Sequence, residues 1–418
     1  MTEFVTIEKL VHGGQGLGAL PDGRKIFVWN ALLGEEVEVE ISKSKKTHAE
    51  GFATKIIKPS PDRISELGRE DIELSTQPLK IMSYEAELSA KRSIVTEIFE
   101  RESVILPDFE VQSTGPVNHY RNKVEFSFWG DEAGLHYAHY LRATHRKIFL
   151  ELPYNDLIYQ NMSDQAQALL QELNDQKIRA GSLKSVIIRS ETASKNPKVA
   201  LALFVKTKTF PKLKLDNLVV YYSDPKSPAS ITTEKIYQNG STILSDRLLG
   251  CALSYDVLSF FQVNLPIFEL ALKRIDHLTS GATNKVDMYS GVGSIGIPIG
   301  GTKVLVELDP VNAKMARENV SKQPIEVVEA STEKALRYIT KDSVIIVDPP
   351  RSGLHKDVVA KIINEKPAQI VYLSCNPATQ ARDVRLLVDG GYKIQNFDAY
   401  NFFPRTPHIE TLISLTLS

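Results

Sequence analysis

The protein has 418 residues, enough for two or three domains of ordinary size. Hydrophobic residues make up 42% of the chain and charged residues 24%, which excludes wholesale disorder. The formal charge of -1 excludes a highly basic, histone-like protein, although it leaves room for a local basic face. The two cysteines, Cys251 and Cys375, are too few for a disulfide scaffold or a four-cysteine metal site.

The first residues contain no apolar segment of the kind that a secretory signal requires. Nowhere does the sequence approach the roughly 20 consecutive apolar residues of a membrane-spanning helix. We therefore expect a reduced, cytoplasmic protein that has no membrane association.

Residues 1–60 have the pattern of a small β-barrel. Short alternating runs at residues 25–29 and 35–41 are separated by glycine and proline, and residues 12–18 form a glycine-rich turn. Pro59 and Pro61 then predict a domain boundary.

Residues 61–250 predict a linker helix followed by a central α/β domain. Apolar residues recur at three- and four-residue spacing from about Leu74 to Ser103, as in a helix. Strand-like runs follow at residues 123–129, 185–190 and 198–206.

Strands and helices alternate through residues 251–418, which predicts a doubly wound and mostly parallel sheet. The strand candidates are residues 285–289, 303–307, 325–328, 344–347 and 370–374, with helix candidates such as 311–320 and 356–364 between them.

A glycine-rich run at residues 287–296 follows the first of these strands and is predicted to open a helix. Glycines allow a tight turn and a close approach of the backbone to a ligand. Gly291, Gly293 and Gly296 satisfy G-x-G-x-x-G, so a dinucleotide site competes with one for S-adenosylmethionine. Glu307 ends the next strand, where it serves ribose hydroxyls of either cofactor, and Asp287 favours S-adenosylmethionine.

Two further loops lie at the carboxyl ends of strands, where open α/β sheets bind their ligands. One is Asp-Pro-Pro-Arg at residues 348–351, a motif common in methyltransferases that act on nucleic-acid bases. Arg351 stands where methyltransferases acting on amines have an aromatic residue, which argues against methylation of an exocyclic nitrogen. The other loop carries Cys375, directly after an apolar strand and before Asn376-Pro377.

A thiolate at Cys375 suits methylation of a carbon atom. C5 of uracil is a poor nucleophile, and addition of a thiolate at C6 activates it. A base must then remove the C5 proton so that the thiolate leaves. Glu410 is the candidate base, with His408 as its rival.

Together these motifs resemble the RNA uracil-C5 methyltransferases, which make 5-methyluridine in ribosomal or transfer RNA. The resemblance extends along nearly the whole chain, since residues 1–60 are similar to a TRAM domain. Residues 120–128, Tyr-Arg-Asn-Lys-Val-Glu-Phe-Ser-Phe, resemble the central-domain signature of the family, and residues 259–264 the segment that leads into its catalytic domain. The motifs around Cys375 and Glu410 match in spacing and order.

The resemblance implies a three-domain α/β enzyme. Its parts are a TRAM-like, OB-like barrel at 1–60, a linker helix with a central RNA-recognition domain at 61–250, and a Rossmann-like class I methyltransferase domain at 251–418. The implied reaction is methylation of uridine C5 by S-adenosylmethionine through a covalent bond between cysteine and C6. The implied partner is a structured RNA, 23S ribosomal RNA before transfer RNA, and we expect the enzyme to be a monomer.

The resemblance also assigns roles to residues by position. Those implied to contact S-adenosylmethionine are Gln262, Tyr289, Gly291, Gly293, Ser294, Glu307 and Asp348. Those implied to contact the substrate are Phe261, by stacking on the target base, with Arg121 and Lys123. Cys375 matches the nucleophile and Glu410 the base that abstracts the proton.

One feature departs from the family. Many members hold an iron–sulfur cluster with four cysteines, mostly between the barrel and the following helix. Residues 61–84 contain no cysteine here, so we expect neither a cluster nor any other metal.

Basic residues concentrate between positions 179 and 214. This segment contains nine basic residues and a single acid, Glu191, and such an excess of positive charge suits contact with RNA phosphates. A second group, comprising Lys43, Lys45, Lys46 and His48, lies in the predicted barrel.

Several other functions share part of this pattern. Cytosine-C5 methylation also uses a cysteine, and a nicotinamide-dependent oxidoreductase would use the glycine loop. A catalytically silent RNA-binding or chaperone-like protein is the alternative outside enzymes, although the pairing of Cys375 with Glu410 argues against it.

Overall fold

In the computed structural model of the protein, residues 2–66, 68, 76–140, 156–321 and 323–417 are described, together with the backbone of 147–150. The fold contains three main sheets, and we call each of these sheets, together with the helices packed on it, a layer.

The first sheet is a closed five-stranded barrel with the strand order β1-β2-β3-β5-β4. Its strands are β1 (Thr2–Leu10), β2 (Gly16–Ala19), β3 (Lys25–Trp29), β4 (Glu36–Ser44) and β5 (His48–Lys58). Alternation of apolar and polar residues, such as Val37 and Val39 between glutamates in β4, directs one face of each strand inward. The predicted barrel is confirmed.

Helix α1 and strand β6 come next in the chain, as α1 (Tyr84–Arg101) and β6 (Val111–Gln112). The side chain of Ser83 accepts a hydrogen bond from the Ala86 amide and so begins the helix. The predicted start near Leu74 is wrong, because residues 76–83 form turns and irregular backbone before the helix begins; Leu74 itself lies outside the described residues.

The second sheet has seven strands in the described part of the chain, in the order β13-β12-β11-β10-β7-β8-β9. They are β7 (Lys123–Asp131), β8 (Gly134–Tyr140), β9 (Lys147–Leu150), β10 (Leu183–Ser190), β11 (Val199–Val205), β12 (Leu218–Tyr222) and β13 (Glu234–Asn239). Helix α2 (Gln160–Asp175) covers one face of the sheet. Ile187, Ala202 and Phe204 on the opposite face share a core with the third layer.

A hairpin of β14 (Ile243–Leu248) and β15 (Cys251–Asp256) leads into the third layer. The remaining elements are α3 (Leu265–Leu278), β16 (Lys285–Met288), β17 (Thr302–Glu307), α4 (Pro310–Val320), β18 (Glu326–Glu329), β19 (Val344–Val347), α5 (Lys356–Glu365), β20 (Gln369–Ser374), α6 (Pro377–Asp389), β21 (Tyr392–Tyr400) and β22 (Glu410–Leu417).

The third sheet has the order β18-β17-β16-β19-β20-β22-β21-β6. The five strands from β18 to β20 are parallel, and β22 runs antiparallel to both of its neighbours. Helices α3 and α4 pack on one face, and α1, α5 and α6 on the other, so both faces are buried. The predicted doubly wound, Rossmann-like sheet is confirmed.

The segment that contains α1 and β6 joins this third sheet, although it precedes the second sheet in sequence. We keep boundaries at residues 60 and 250 as a proposal for the folding units.

One local prediction is wrong. The glycine-rich run does not open a regular helix, because residues 291–300 pass through consecutive turns instead. These turns close through hydrogen bonds from Gly293 N to Ser290 O (2.8 Å) and from Ile297 N to Gly293 O (3.1 Å). Positive φ angles at Gly291 and Gly293 interrupt the helical path.

Candidate active site

The chemically important loops meet at one edge of the third sheet. The parallel strands β17, β16, β19 and β20 end there, and the antiparallel strand β22 begins there. Strand order therefore sets the order of the side chains along the edge: Glu307, Tyr289, Asp348, Cys375 and Glu410. The residues that the sequence assigned to a cofactor lie at one end, and those assigned to the chemistry lie at the other.

The register of two strands brings Cys375 beside Glu410. Ser374 of β20 pairs with Thr411 of β22 at the end of their ladder, and Cys375 and Glu410 are the next residues outward. Facing residues such as Ser374 and Thr411 have Cα atoms roughly 4.5–5.5 Å apart, and the charge of Glu410 acts on the Cys375 thiol. A thiol and a carboxyl group thus stand side by side, although they are 35 positions apart in sequence.

Cys375 is a protonated thiol in the free protein at neutral pH. Burial, followed by the negative charges of Glu410 and Asp348, raises the pKa of the Cys375 thiol to about 12, and Arg351 opposes them. The thiol lies directly before α6, whose first turn is capped by the side chain of Asn376. The Asn376 amide also donates to the Arg351 carbonyl (2.8 Å), which ties the two loops together.

The two candidate bases differ in their electrostatics. Burial and the nearby Asp348 raise the pKa of Glu410 well above its usual value, and Arg351 opposes the shift. Burial and several cations, Arg351 first among them, lower the pKa of His408 to about 4, so its ring is neutral at pH 7. The Arg351 guanidinium makes no hydrogen bond or ion pair with the described residues, and its charge acts on both groups.

The glycine-rich loop is held by two acids. Gly291 N donates to Oε2 of Glu307 (2.8 Å), and Gly296 N donates to Oδ2 of Asp287 (2.8 Å). Burial raises the pKa of Asp287 to about 8 and also raises that of Glu307. A Cβ atom on Gly296 would lie 2.8 Å from Asp287 Oδ2, so this contact requires glycine.

Space for a ligand remains beside Gly291. Among the described residues, a Cβ atom built there would meet only Phe260, at 3.8 Å or more. Ser294 is buried behind the loop, and Ser290 Oγ and Asp287 Oδ1 are buried without a partner among the described residues. Unpartnered polar atoms beside an open backbone are typical of a site that a polar ligand completes.

Tyr289 lies on the other side of the loop. Its backbone adopts the left-handed region with a φ of 68°, and its ring lines a cavity of about 500 Å³ with Pro350, Gly353 and His355. Strained backbone of this kind is common where a ligand is bound.

Gln262 contacts Asp348 in the middle of the edge. Its side chain is buried, and Nε2 lies 3.4 Å from Oδ2 of Asp348. Burial raises the pKa of Asp348 to about 7, so this carboxyl group titrates near neutrality.

The structure contradicts the stacking role predicted for Phe261. That ring is 2% exposed and stacks on Tyr255 with their centroids 4.2 Å apart, so a base cannot reach it. The neighbouring Phe260 is 60% exposed and faces Gly291. The correction moves the candidate stacking ring by one residue, since burial and exposure alternate at these two positions.

The two basic candidates of the central domain lie close to the same edge. The Arg121 guanidinium lies 5.9 Å from the ring centroid of Phe403, which in turn contacts His408. Burial and the charge of Arg189 lower the pKa of Lys123 to about 8, so it remains mostly a cation at pH 7.

The barrel also reaches this edge, which sequence reasoning missed. A Cβ atom on Gly14 would lie 3.0 Å from Pro407, so the glycine-rich turn packs against the loop that precedes Glu410. The surrounding protein, and then the charge of Arg351, lower the pKa of His12. The signal in the sequence is the His-Gly-Gly turn itself, whose pattern predicts only barrel structure.

The basic segment at residues 179–214 does not form one surface. Arg189 is fully buried, Lys184 is held by carbonyl and hydroxyl oxygens of residues 223–228, and Lys198 donates to Ile243 O. Lys195 lies in the β10–β11 turn, whereas Lys206 lies at the opposite end of β11. The barrel group is partly neutralised too, since Lys43 and His48 face Glu50.

Within the described ranges, no group of three or more histidines, cysteines or acids is placed to hold a metal ion. No helix in the described part of the chain is long and apolar enough to cross a membrane.

Comparison with known proteins supports the resemblance. The family model described as tRNA (uracil-5-)-methyltransferase matches residues 83–195 and 313–417, and the TRAM domain model matches residues 2–54. An uncharacterized RNA methyltransferase of Caldanaerobacter subterraneus is 31% identical, over 97% of this chain and 96% of that protein. Another, of Thermotoga maritima, is 29% identical over 99% of each chain.

Among solved structures, a tRNA (uracil-54, C5)-methyltransferase of Pyrococcus abyssi, in complex with S-adenosyl-L-homocysteine, superposes with a TM-score of 0.79. The two chains are 24% identical, and the match covers 99% of each. The likeness shows that the two proteins share the fold, with its three main sheets, over the whole length of the chain.

Proposed function

Because the chain belongs to the tRNA (uracil-5-)-methyltransferase family, we propose that it transfers a methyl group from S-adenosylmethionine to C5 of a uridine in RNA. The observation that carries the proposal is the pairing of β20 with β22, next to which Cys375 and Glu410 stand side by side. Methylation at C5 needs a nucleophile and a base on one target ring, and these two residues supply both.

The residues around the glycine-rich loop fit S-adenosylmethionine. Glu307 ends β17, where an acid accepts hydrogen bonds from ribose hydroxyls, and the open side of Gly291 admits a ligand against the backbone. Gly293, Ser294, Gln262, Tyr289 and Asp348 surround the same edge. When bound, the cofactor supplies an electrophilic methyl group.

In this proposal, Cys375 Sγ forms a bond to C6 of the uridine, which makes C5 nucleophilic. The pKa of about 12 means that the thiol proton leaves as this bond forms, and we assign its uptake to the nearby carboxylate of Asp348, which leaves Glu410 unprotonated for the later step. After C5 has taken the methyl group, Glu410 removes the C5 proton, the double bond re-forms and the thiolate leaves. The raised pKa of Glu410 makes it a stronger base than an exposed carboxylate.

RNA is the substrate class that a TRAM barrel and this family support. We assign Phe260 to stacking on the target base, and Arg121, Lys123 and Arg351 to the RNA around it. A base inside a duplex is not accessible, so the uridine must be unstacked or flipped out. The finer proposal of 23S ribosomal RNA, rather than transfer RNA, rests on the resemblance in sequence. We also propose that the enzyme is a cytoplasmic monomer.

The decisive experiment measures transfer of radiolabelled methyl groups from S-adenosylmethionine to unmodified ribosomal and transfer RNA, followed by nucleoside analysis. Label in 5-methyluridine is expected, and the labelled RNA names the substrate. Label in 5-methylcytidine would overturn the assignment of the base, and no label in either RNA would favour a silent RNA-binding protein.

Two variants test the mechanism. Cys375→Ala is expected to abolish transfer, whereas the matched control Cys251→Ala removes the other free cysteine, at the start of β15, and keeps it. Glu410→Gln is expected to accumulate a covalent protein–RNA adduct, because removal of the C5 proton precedes release. Rapid turnover of Glu410→Gln without an adduct would reassign the base to His408 or water.

A further inference from the structure

Arg189, the penultimate residue of β10, is a buried cation that the proposed reaction does not use. Its side chain is fully enclosed, and its guanidinium donates two hydrogen bonds to the backbone of one short segment. Nη1 lies 2.5 Å from Ser259 O, and Nη2 lies 2.7 Å from Phe261 O. A planar fork of two donors thus holds the carbonyl groups on both sides of Phe260.

The charge of Arg189 has no carboxylate in direct contact among the described residues, although the charges of Asp246 and Asp256 act on it. It forms no ion pair in the described part of the chain, its Nε has no hydrogen-bond partner there, and burial lowers its pKa to about 10. Instead it lies over the rings of Tyr255, at 4.7 Å, and Phe261, at 5.8 Å. Tyr255 is fixed in turn by a 2.5 Å hydrogen bond to Asp246.

A buried, unpaired cation destabilises a fold relative to an apolar side chain of similar size. Such groups concentrate where a protein needs them for function. Arg189 therefore calls for an explanation beyond stability, and the segment that it holds provides one.

We call residues 259–263 the strap. Besides Arg189, the central domain holds the strap through Asn122. The side-chain Nδ2 of Asn122 donates to Gln262 O (3.1 Å), and its backbone N–H donates to Val263 O (3.1 Å). From the third layer, the side chain of Asn312 in α4 accepts a hydrogen bond from Phe260 N (3.1 Å). Of the two phenylalanines in the strap, Phe260 is the exposed one, and it projects towards Gly291.

We propose that Arg189 is a positioning residue for methyl transfer: it fixes the strap so that the Phe260 ring is held in the crevice beside the glycine-rich loop. The proposal rests on the proposed function, and it makes the central domain part of the catalytic machinery through a hydrogen-bonded anchor. Loss of the anchor leaves Phe260 attached but free to turn away, which affects the chemical step more than the binding of RNA.

A double-mutant cycle tests this role in the full-length enzyme. Arg189→Lys, Phe260→Leu and the double variant are compared with wild type for kcat and KM on the RNA that wild type methylates. Lysine keeps the charge but lacks the planar fork, so Arg189→Lys is expected to lower kcat on the order of 100-fold with KM for RNA unchanged. Because Arg189 acts through Phe260, the double variant is expected to be no slower than the slower single variant.

Arg247→Lys is the matched control. Arg247 also donates to a backbone carbonyl, Gly250 O at 3.0 Å, but it lies on the surface of the β14–β15 hairpin. Its replacement is expected to change kcat by no more than about twofold. Thermal melting of each variant verifies that it is folded. Should Arg189→Lys fail to fold, Tyr255→Phe takes its place, since it removes the hydrogen bond to Asp246 and keeps the ring. Tyr255→Phe must then lower kcat in the wild-type enzyme but cause no further loss in Phe260→Leu.

A second readout does not depend on activity. A fluorine-labelled phenylalanine at position 260 is expected to give a fluorine resonance that shifts or broadens in Arg189→Lys and stays unchanged in Arg247→Lys. Losses that multiply in the double variant, or an unchanged resonance, would overturn the role of Arg189. An inactive wild type would instead overturn the proposed function, and the resonance would still decide on Arg189.

Discussion

Removal of Lys91 from helix α1 is expected to destabilise the protein strongly. Lys91 is buried, and its Nζ donates to Glu87 Oε1 (2.9 Å), Asn401 Oδ1 (2.6 Å) and Phe403 O (3.2 Å). Glu87 is buried as well and also accepts from the Arg405 amide (3.0 Å). The network ties α1 to the loop that leads to Glu410.

The expected size of the effect follows from these contacts. Lys91→Met leaves the Glu87 carboxylate without its closest cation and Asn401 Oδ1 without its donor, whereas Phe403 O keeps the hydrogen bonds from Thr406. Breaking a buried ion pair from one side costs about 3–5 kcal/mol. We expect the lower end, about 3 kcal/mol, because Glu87 keeps the Arg405 amide and a guanidinium nitrogen at 3.7 Å. Glu87→Gln combined with Lys91→Met is expected to recover most of the loss.

The exposed pair Glu269–Lys273 provides a matched control, since it has the same residues at the same spacing on helix α3. The Lys273 side chain is 64% exposed, so Lys273→Met is expected to cost less than about 1 kcal/mol. Urea-induced unfolding of both variants gives the comparison. The reasoning would be refuted if Lys91→Met were no more destabilising than Lys273→Met.

The pH dependence gives an additional check on this network. Burial lowers the pKa of Lys91 from 10.5 to about 8. Between these values the unfolded chain binds one more proton than the native protein, so wild type gains stability as the pH rises. The deficit of Lys91→Met is therefore expected to increase from pH 8 to 10, and a constant deficit would contradict the lowered pKa.

Three further outcomes are expected. Phe261→Leu should lower the free energy of unfolding by about 1–2 kcal/mol, whereas Phe260→Leu should leave it unchanged and lower kcat; the reverse pattern would return the stacking role to Phe261. Alkylation of Cys375 by iodoacetamide, followed by mass spectrometry, should accelerate continuously from pH 7 to 10, because its thiol pKa is about 12; a plateau near pH 8.5 would contradict this. Burial raises the pKa of Asp348 to about 7, so native Asp348 retains a proton that the unfolded chain releases near pH 4. The free energy of unfolding therefore falls as the pH rises from 4 to 7. Asp348→Asn should flatten that slope in urea titrations across the same range, and an unchanged slope would assign it to other carboxyl groups.

The sequence by itself determined the order of the layers and most of the loops that matter. Alternation of apolar residues in 1–60 predicted the barrel, and apolar strands alternating with helices predicted the doubly wound sheet. Cys375 and Glu410 were found because each directly adjoins an apolar strand, and such strands have a sequence signal of their own. These features depend on local periodicity, which a sequence records directly.

Contacts between distant segments were decided only by the tertiary structure. Which of two adjacent phenylalanines faces the crevice depends on Tyr255, which packs on Phe261 and leaves Phe260 outside. The cluster of charges predicts that Arg189 is part of a basic surface, whereas the side chain is buried, because a sequence does not show which charged residues lie inside. The approach of the barrel to Pro407, and the membership of α1 and β6 in the third sheet, likewise have no local signal. A side chain's environment is set by residues far away in the chain, so pattern and spacing identify the chemistry but not the orientation in which it is held.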